Sequence, residues 1–227
     1  MSNVRATSIR AARQALFAHG PRYVRAEGYG SDDFERVSVP EGDCDVLSGL
    51  LLAEQPTTVI EIGLAYGASS LAIAEALVEL GHQQAHHLIV DAYQSRAYHG
   101  TGWEAIVRAG LSDLCVLREE RSQIALPRLW SEGFVADAAF VDGSHTFHNV
   151  FLDLYYLREL VRPGGLIVLD DGHYPSVATA VRYFELNANW RRQPMAAPTR
   201  LRAYRLPDPL FEPSFTDFKP FGLAAEG

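Results

Sequence analysis

Acidic side chains follow two short apolar runs in the second half of the chain. Asp142 comes directly after residues 138–141, and Asp170 and Asp171 come directly after residues 166–169. Runs this short and this apolar are typical of strands that are buried on both faces of a parallel sheet. Because the carboxyl ends of parallel strands share one edge of a sheet, we expect the three carboxylates to converge at that edge.

Three carboxylates packed together repel one another unless a cation or protons intervene. A hard divalent cation with oxygen ligands is the simplest resolution. The residues therefore predict a site for Mg²⁺ or another divalent cation, held by Asp142, Asp170 and Asp171. The alternative roles are a helix cap for Asp142 and a turn carboxylate for Asp171.

The residues between the two acidic ends predict the connection that brings them together. Apolar positions recur at helical spacing from Val150 to Val161, and residues 162–165, Arg-Pro-Gly-Gly, then end the helix and turn the chain. The pattern is a strand–helix–strand unit, whose crossover we expect to be right-handed.

A second candidate binding feature lies in the first half of the chain. Residues 57–61 predict a strand, a turn with Gly63 and Gly67 comes next, and a helix follows from about residue 70 to residue 80. A glycine-containing turn that leads into a helix N-terminus suits a polar or anionic group. The dinucleotide pattern G-x-G-x-x-G is absent, because Ala65 stands where its second glycine would be.

Asp91 follows the second predicted strand, residues 87–90. An acid at this position suits hydrogen bonds to ribose hydroxyls, and the alternative role is a helix cap or a turn residue. Three histidines, His82, His86 and His87, lie at the opposite end of that strand. We expect them at the surface and not as metal ligands.

The remaining segments continue an α/β pattern. Helices are predicted at residues 103–110, 124–130 and 177–187, a short strand at 114–117, and an antiparallel hairpin at 190–195 and 200–206. Residues 1–20 predict an amphipathic helix, for which a packing or dimerisation surface is favoured over a lid, and residues 21–42 a loop that ends in a helix start.

Composition limits the function classes. A chain of 227 residues suits one α/β domain, and its formal charge of −8, from 20 Lys+Arg against 28 Asp+Glu, argues against nucleic acid as the main partner. The two cysteines lack metal-ligand spacing and indicate a reducing compartment. No run spans a bilayer and no secretory signal is visible, so we expect a cytoplasmic protein with no membrane partner.

Together these features resemble the class I S-adenosylmethionine-dependent methyltransferases, and within them the metal-dependent O-methyltransferases of the catechol and caffeoyl-CoA type. The chain is most similar to the branch that methylates sugars and other natural-product hydroxyls, such as the macrolide sugar O-methyltransferases. The resemblance covers residues 37–206. It implies a Rossmann-like α/β fold with a seven-stranded, mostly parallel sheet, helices on both faces and an antiparallel last strand. Residues 1–36 are then an N-terminal helical arm and residues 207–227 a C-terminal tail.

The resemblance also implies where S-adenosylmethionine binds. The first motif, residues 61–69, would hold the methionine part, the acid after the second strand would hold the ribose, and the Ser-Gln pair after Arg121 would flank the adenine. The implied cofactor contacts are Glu61, Gly63, Ala65, Tyr66, Gly67, Ser69, Asp91, Tyr93, Ser122, Gln123 and Asp142.

His145 is the predicted general base. It falls three residues after Asp142, where the catechol enzymes carry a catalytic lysine and the macrolide sugar enzymes a histidine. Imidazole titrates near neutral pH and can take the proton of an acceptor hydroxyl. His148 and His173 are the alternatives. No lysine follows Asp142, which counts against a catechol or caffeoyl-CoA substrate.

The predicted function is therefore O-methylation of a small-molecule hydroxyl, on a natural-product sugar or a related secondary metabolite, with S-adenosylmethionine and a divalent cation. Three other functions stay open: a metal-dependent tRNA-modifying methyltransferase, a hydrolase or hydroxylase-like enzyme on the same fold, and a cofactor-binding module without activity. A homodimer or a higher homo-oligomer is also open.

Overall fold

A seven-stranded sheet lies at the centre of the described part of the chain, which is residues 2–23 and 33–222 of a computed structural model. Strands β1 to β5 are parallel, and β7 is antiparallel to both of its neighbours, β5 and β6. The order is β3-β2-β1-β4-β5-β7-β6. The strands are β1 Thr58–Ile62, β2 His86–Val90, β3 Cys115–Arg118, β4 Ala136–Val141, β5 Val161–Leu169, β6 Arg191–Arg192 and β7 Arg202–Arg205. The predicted Rossmann-like fold with an antiparallel last strand is confirmed.

Helices cover both faces of the sheet, as predicted. One apolar core joins the sheet to α1, α3, α4 and α5, and a second core joins it to α6, α7 and α8. The helices are α1 Ser2–His19, α2 Phe34–Val37, α3 Glu41–Glu54, α4 Ala68–Leu80, α5 Thr101–Arg108, α6 Ser122–Ser131, α7 Phe147–Leu160 and α8 Pro175–Asn187. Among the described residues, none of the helices is both long enough and apolar enough to cross a bilayer.

The N-terminal helix α1 packs against α4. Its Ile9 and Leu16 side chains are buried in the first core. Arg10 Nε lies 2.6 Å from Glu75 Oε1, and Arg13 Nη2 lies 3.3 Å from Glu75 Oε2. This position favours the packing role of the arm. In the predicted loop that follows α1, the described residues form a short 3₁₀ helix, Gly20–Tyr23, and the short helix α2. Residues 24–32 of this loop lie outside the described residues.

The predicted turn at residues 162–165 lies inside β5. Ala136 pairs with Val161 and Ala138 with Leu166, so residues 162–165 form an irregular bulge between two paired positions. Gly164 has φ +70°, a conformation that favours glycine. The Arg-Pro-Gly-Gly stretch therefore interrupts the pairing without separating α7 from the strand.

Candidate active site

The carboxyl ends of β1 to β5 open onto one cleft of about 710 Å³. Its walls come from the turn after β1, the ends of β2 and β3, the start of α6, and the segments after β4 and β5. A volume of this size suits a small-molecule site. None of the described residues of α1 lines the cleft.

The β1–α4 turn passes very close to the end of β4. A Cβ at Gly63, whose φ is +95°, would lie 2.1 Å from the backbone oxygen of Asp142. The Asp142 N–H donates to the Ile62 oxygen at 2.8 Å in the same place. Glycine is therefore required at position 63, where the turn meets the first acidic strand end.

Asp91 is nearly buried, at 7% exposure, and lies on the cleft. Its Oδ2 accepts the backbone N–H groups of Leu64 and Ala65, at 2.9 and 3.0 Å, and its Oδ1 accepts that of Tyr93 at 2.7 Å. Asp91 thus orders the glycine turn. Its Oδ1 has acceptor capacity left, which is compatible with the predicted ribose contact.

Glu61 lies beneath the turn and not on the cleft. Its side chain is fully buried, accepts hydrogen bonds from the Ser69 hydroxyl at 2.5 Å and from the Ser70 hydroxyl, and forms a 2.9 Å ion pair with His87 Nε2. The expectation of a surface position for His87 is wrong, because this ring is fully buried. Burial alone lowers the pKa of His87, and the neighbouring Cys115 and Glu61 more than offset this and raise it to about 9.

Two more residues of the predicted first motif also lie behind the cleft wall. The Tyr66 hydroxyl donates to Asp33 Oδ1 at 2.8 Å, and a Cβ at Gly67 would lie 3.1 Å from the Gly102 oxygen. The structure therefore divides the predicted cofactor contacts into two sets. Glu61, Tyr66, Gly67 and Ser69 support the turn, whereas the cleft is lined by Gly63, Ala65, Asp91, Tyr93, Ser122, Gln123 and Asp142.

Ser122 and Gln123 begin α6 and face the cleft. Gln123 Nε2 donates to Asn149 Oδ1 at 3.0 Å, and Asn149 Nδ2 donates to the Ser144 hydroxyl at 2.9 Å. This chain of hydrogen bonds ties the predicted adenine region to the loop after β4. Asn149 also lines the cleft, and the sequence offered no signal for it beyond its position in the first turn of α7.

Asp142, His145 and Asp171 meet at the β5 side of the cleft. His145 Nε2 lies 3.3 Å from Asp171 Oδ2 and 3.6 Å from Asp142 Oδ1. Burial raises the pKa of Asp142 to about 7, with repulsion by Asp170 and Asp171 adding to it and His145 opposing it. The nearby Asp142 carboxylate raises the pKa of His145, and burial opposes that shift.

The same three side chains fit a divalent cation. Each offers one ligand atom, and these atoms lie within 4.8 Å of one another. Two carboxylates and an imidazole are donors that divalent metals accept. Asp171 has φ +52°, unusual for a residue with a side chain, at this edge of the site.

Asp170, the third predicted ligand, faces Arg200 instead of the cleft. Arg200 Nε lies 2.8 Å from Asp170 Oδ1, and Nη2 lies 2.5 Å from Oδ2. Burial raises the pKa of Asp170, and the guanidinium opposes this. Sequence reasoning missed Arg200, which belongs to the link between β6 and β7. The chain itself thus supplies part of the positive charge that the clustered acids require.

The two alternative candidates for the base, His148 and His173, differ in position. His148 lines the cleft and is exposed. His173 does not line it, and its ring lies 4.4 Å from that of Tyr174, measured between centroids. The Tyr174 ring is in turn 5.5 Å from that of His145 and forms part of the cleft wall.

Known proteins resemble this chain in both motif and fold. A family model described as a methyltransferase domain matches residues 60–172. The O-methyltransferase TomG from Streptomyces achromogenes, involved in tomaymycin synthesis and solved with SAM, is 20% identical, with a TM-score of 0.62 and 88% of each chain covered. No curated protein sequence matches the chain.

Two further solved structures share the fold. An O-methyltransferase from Bacillus cereus, solved with SAH, is 18% identical, with a TM-score of 0.61, and the match covers 88% of this chain and 90% of that one. The Podospora anserina methyltransferase PaMTH1, also SAH-bound, is 16% identical, with a TM-score of 0.65 and coverages of 85% and 87%.

The domain match begins in β1 and ends just after the acids of β5, so it contains the glycine turn, Asp91 and Asp142. The chain also has the seven-stranded, mostly parallel sheet with an antiparallel last strand that the resemblance to class I enzymes implied. The domain match and the fold together show a methyltransferase that takes its methyl group from S-adenosylmethionine, in agreement with the resemblance to class I enzymes.

Proposed function

We propose that this methyltransferase transfers the methyl group of S-adenosylmethionine to a hydroxyl group of a small molecule, with a divalent cation bound at the acidic edge. The observation that carries the proposal is the arrangement of the cleft. The glycine turn and Asp91 lie on its β2 side, and Asp142, His145 and Asp171 lie on its β5 side, within one cavity of about 710 Å³. Cofactor and acceptor can therefore be bound side by side.

The cofactor half of the cleft would orient the sulfonium. The backbone of the β1–α4 turn, fixed by Asp91, forms the wall for the methionine part, and Asp91 Oδ1 accepts from the ribose. Ser122 and Gln123, with Asn149 beside them and hydrogen-bonded to Gln123, form the wall at the adenine. Rigid walls of this kind hold the methyl carbon in line with the incoming oxygen.

In the acceptor half, His145 would take the proton of the acceptor hydroxyl as the oxygen attacks the methyl carbon. The carbon–sulfur bond breaks, and S-adenosylhomocysteine leaves with the bonding pair. A proton on His145 Nε2 is stabilised by Asp171 and Asp142, 3.3 and 3.6 Å away. A divalent cation held by the aspartates of this edge, when bound, lowers the pKa of the acceptor hydroxyl.

The acceptor that we propose is a natural-product sugar or a related secondary metabolite. The presence of a histidine and not a lysine at position 145 supports it, as does the similarity to TomG, an enzyme of tomaymycin synthesis. The net charge of −8 counts against an RNA acceptor.

Calorimetry and product mass test the proposal. The full chain should bind S-adenosylmethionine and S-adenosylhomocysteine, and one acceptor from a panel of sugar, polyketide and phenolic hydroxyl compounds should gain the mass of a methyl group. Chelation with EDTA should stop turnover while cofactor binding persists, and Mg²⁺ should restore turnover. A chain that binds neither cofactor form, or that stays fully active after exhaustive chelation, would contradict the corresponding part of the proposal.

A further inference from the structure

Arg200 places a guanidinium inside the acidic edge. It faces Asp170 with two parallel contacts of 2.8 and 2.5 Å, a geometry that gives strong and directional pairing. The Asp170 side chain has 0% exposure, whereas the side chains of Asp142 and Asp171 each have 12%. Asp170 is therefore enclosed by its arginine partner, and the other two acids reach the cleft.

Several contacts hold Arg200 in this position. Its Nε lies 3.8 Å from Asp43 Oδ2 and 3.8 Å from Asp171 Oδ1, and its Nη2 lies 3.5 Å from the Ser38 oxygen. The preceding residue, Thr199, donates its hydroxyl to Asp43 Oδ1 at 2.5 Å. Turning Arg200 away from Asp170 would break contacts to α3 and to the segment before it.

Charge balance agrees with this arrangement. Three carboxylates and one guanidinium leave a net charge of −2 at the edge when His145 is neutral, and one divalent cation neutralises it. If Asp170 were a metal ligand as well, Arg200 would lie beside the cation and share its nearest carboxylate partner with it. Like charges at such short range repel one another strongly in a buried site.

We propose that the ion pair of Arg200 and Asp170 keeps Asp170 out of the metal-binding set, so that Asp142 and Asp171 are the aspartates that hold the cation. Asp170 is then a positioning residue. Its Oδ1 accepts the Asp171 backbone N–H at 2.7 Å and so fixes the carboxylate that follows. This inference rests on the proposed function, which supplies the cation.

Binding of Mn²⁺ alone to the full chain, followed by the electron paramagnetic resonance signal of the free ion, tests the proposal. Asp142→Asn and Asp171→Asn should each weaken binding by about tenfold or more, because each removes a charged ligand. The double variant Asp170→Asn/Arg200→Met keeps the net charge and should stay within about threefold of wild type. Arg200→Met alone frees Asp170 and should tighten binding. Arg205→Met, which removes an arginine paired with Glu54 at the other end of β7, is the control.

Equal losses of Mn²⁺ affinity in the double variant and in Asp171→Asn would make Asp170 a ligand and overturn the proposal. If the methionine variants fail to fold, Asp170→Asn with Arg200 retained tests the proposal instead. Its loss of Mn²⁺ affinity should be clearly smaller than that of Asp171→Asn. Titration with S-adenosylmethionine runs in parallel. A wild-type chain that binds this cofactor but no Mn²⁺ refutes the inference, whereas a chain that does not bind the cofactor refutes the proposed function.

Discussion

At the scale of single residues, His145 is the side chain with the most direct part in the proposed chemistry. Its Nε2 makes no hydrogen bond with the described residues and lies between two carboxylates. These carboxylates raise the pKa of the imidazole and so strengthen it as a base. The same effect makes the ring more easily protonated in acid, when it can no longer accept a proton.

Replacing His145 by alanine should lower the rate of methyl transfer by about 10²–10⁴-fold, the usual range for a positioned general base. Cofactor affinity should hardly change, because the cofactor half of the cleft is untouched. Wild type should lose rate toward acidic pH and the variant should lack this limb. Single-turnover measurements of His145→Ala, His148→Ala and His173→Ala compare the three histidines. A wild-type rate in His145→Ala together with a slow His148→Ala or His173→Ala would move the base to that residue.

Asp91 combines two tasks, since it orders the turn and lies on the cleft. Asp91→Asn keeps the shape but removes the charge that attracts the backbone donors and the ribose. We expect S-adenosylmethionine to bind about 10- to 100-fold more weakly, as for hydrogen bonds to a charged group. Calorimetry measures the affinity of this variant for S-adenosylmethionine. The control is Asp113→Asn, which removes the charge of an exposed aspartate paired with Arg5. Equal affinities in both variants and wild type would remove Asp91 from the cofactor site.

At the scale of elements, the β1–α4 turn determines how closely the cofactor half and the acidic half of the cleft approach. Gly63 and Gly81 both have positive φ, +95° and +71°. They differ in space, because a Cβ at Gly63 would lie 2.1 Å from the Asp142 oxygen, whereas nothing lies within 4 Å of one at Gly81. Replacing each glycine by alanine therefore separates two effects on the free energy of unfolding, that of the backbone conformation and that of the close contact.

Gly81→Ala should therefore cost about 1–2 kcal/mol, the price of a left-handed conformation for alanine. Gly63→Ala adds the backbone clash, and we expect a loss of more than about 3 kcal/mol together with weaker cofactor binding. Urea unfolding of both variants measures the difference in the free energy of unfolding. Equal losses would mean that the turn can move away from β4 at little cost.

Much of the fold and part of the site could be predicted from the sequence. Buried parallel strands leave short apolar runs, so β1 to β4 were found to within one or two residues, whereas β5 begins at Val161 and not at residue 166. The rule for strand ends placed Asp91, Asp142 and Asp171 on one cleft. Arg200 could not be found, because its contact with Asp170 joins a polar link to a strand 30 residues away. No local pattern marks such a pair.

At the scale of the whole molecule, a buried ion pair lies beneath the cleft. His87 and Glu61 are both fully buried, on neighbouring strands β2 and β1. Because the pKa of His87 is raised to about 9 from the ordinary value of 6.5, the folded protein binds its proton more tightly than the unfolded chain does. The resulting stability is complete below pH 6.5 and is lost as the pH rises through 9.

The free energy of unfolding should therefore fall by about 3 kcal/mol between neutral pH and pH 10 through this residue alone. Denaturant unfolding at several pH values across this range measures how the free energy of unfolding changes with pH. His87→Gln should remove this pH dependence, whereas His82→Gln, at an exposed histidine in the turn before β2, should keep it. An identical pH dependence in His87→Gln would place the titration elsewhere.

The two buried cysteine thiols can report how often the structure around each of them opens. Cys44 on α3 is 0% exposed and Cys115 on β3 is 2% exposed, and burial raises the pKa of the Cys44 thiol, so neither meets an alkylating reagent in the closed protein. An alkyl label that a cysteine acquires under native conditions therefore records one opening of the element that carries it, α3 or β3. Mass spectrometry of labelled peptides should show that Cys115, on the edge strand of the sheet, is alkylated sooner than Cys44. Similar alkylation rates for both cysteines would mean that β3 and α3 open together.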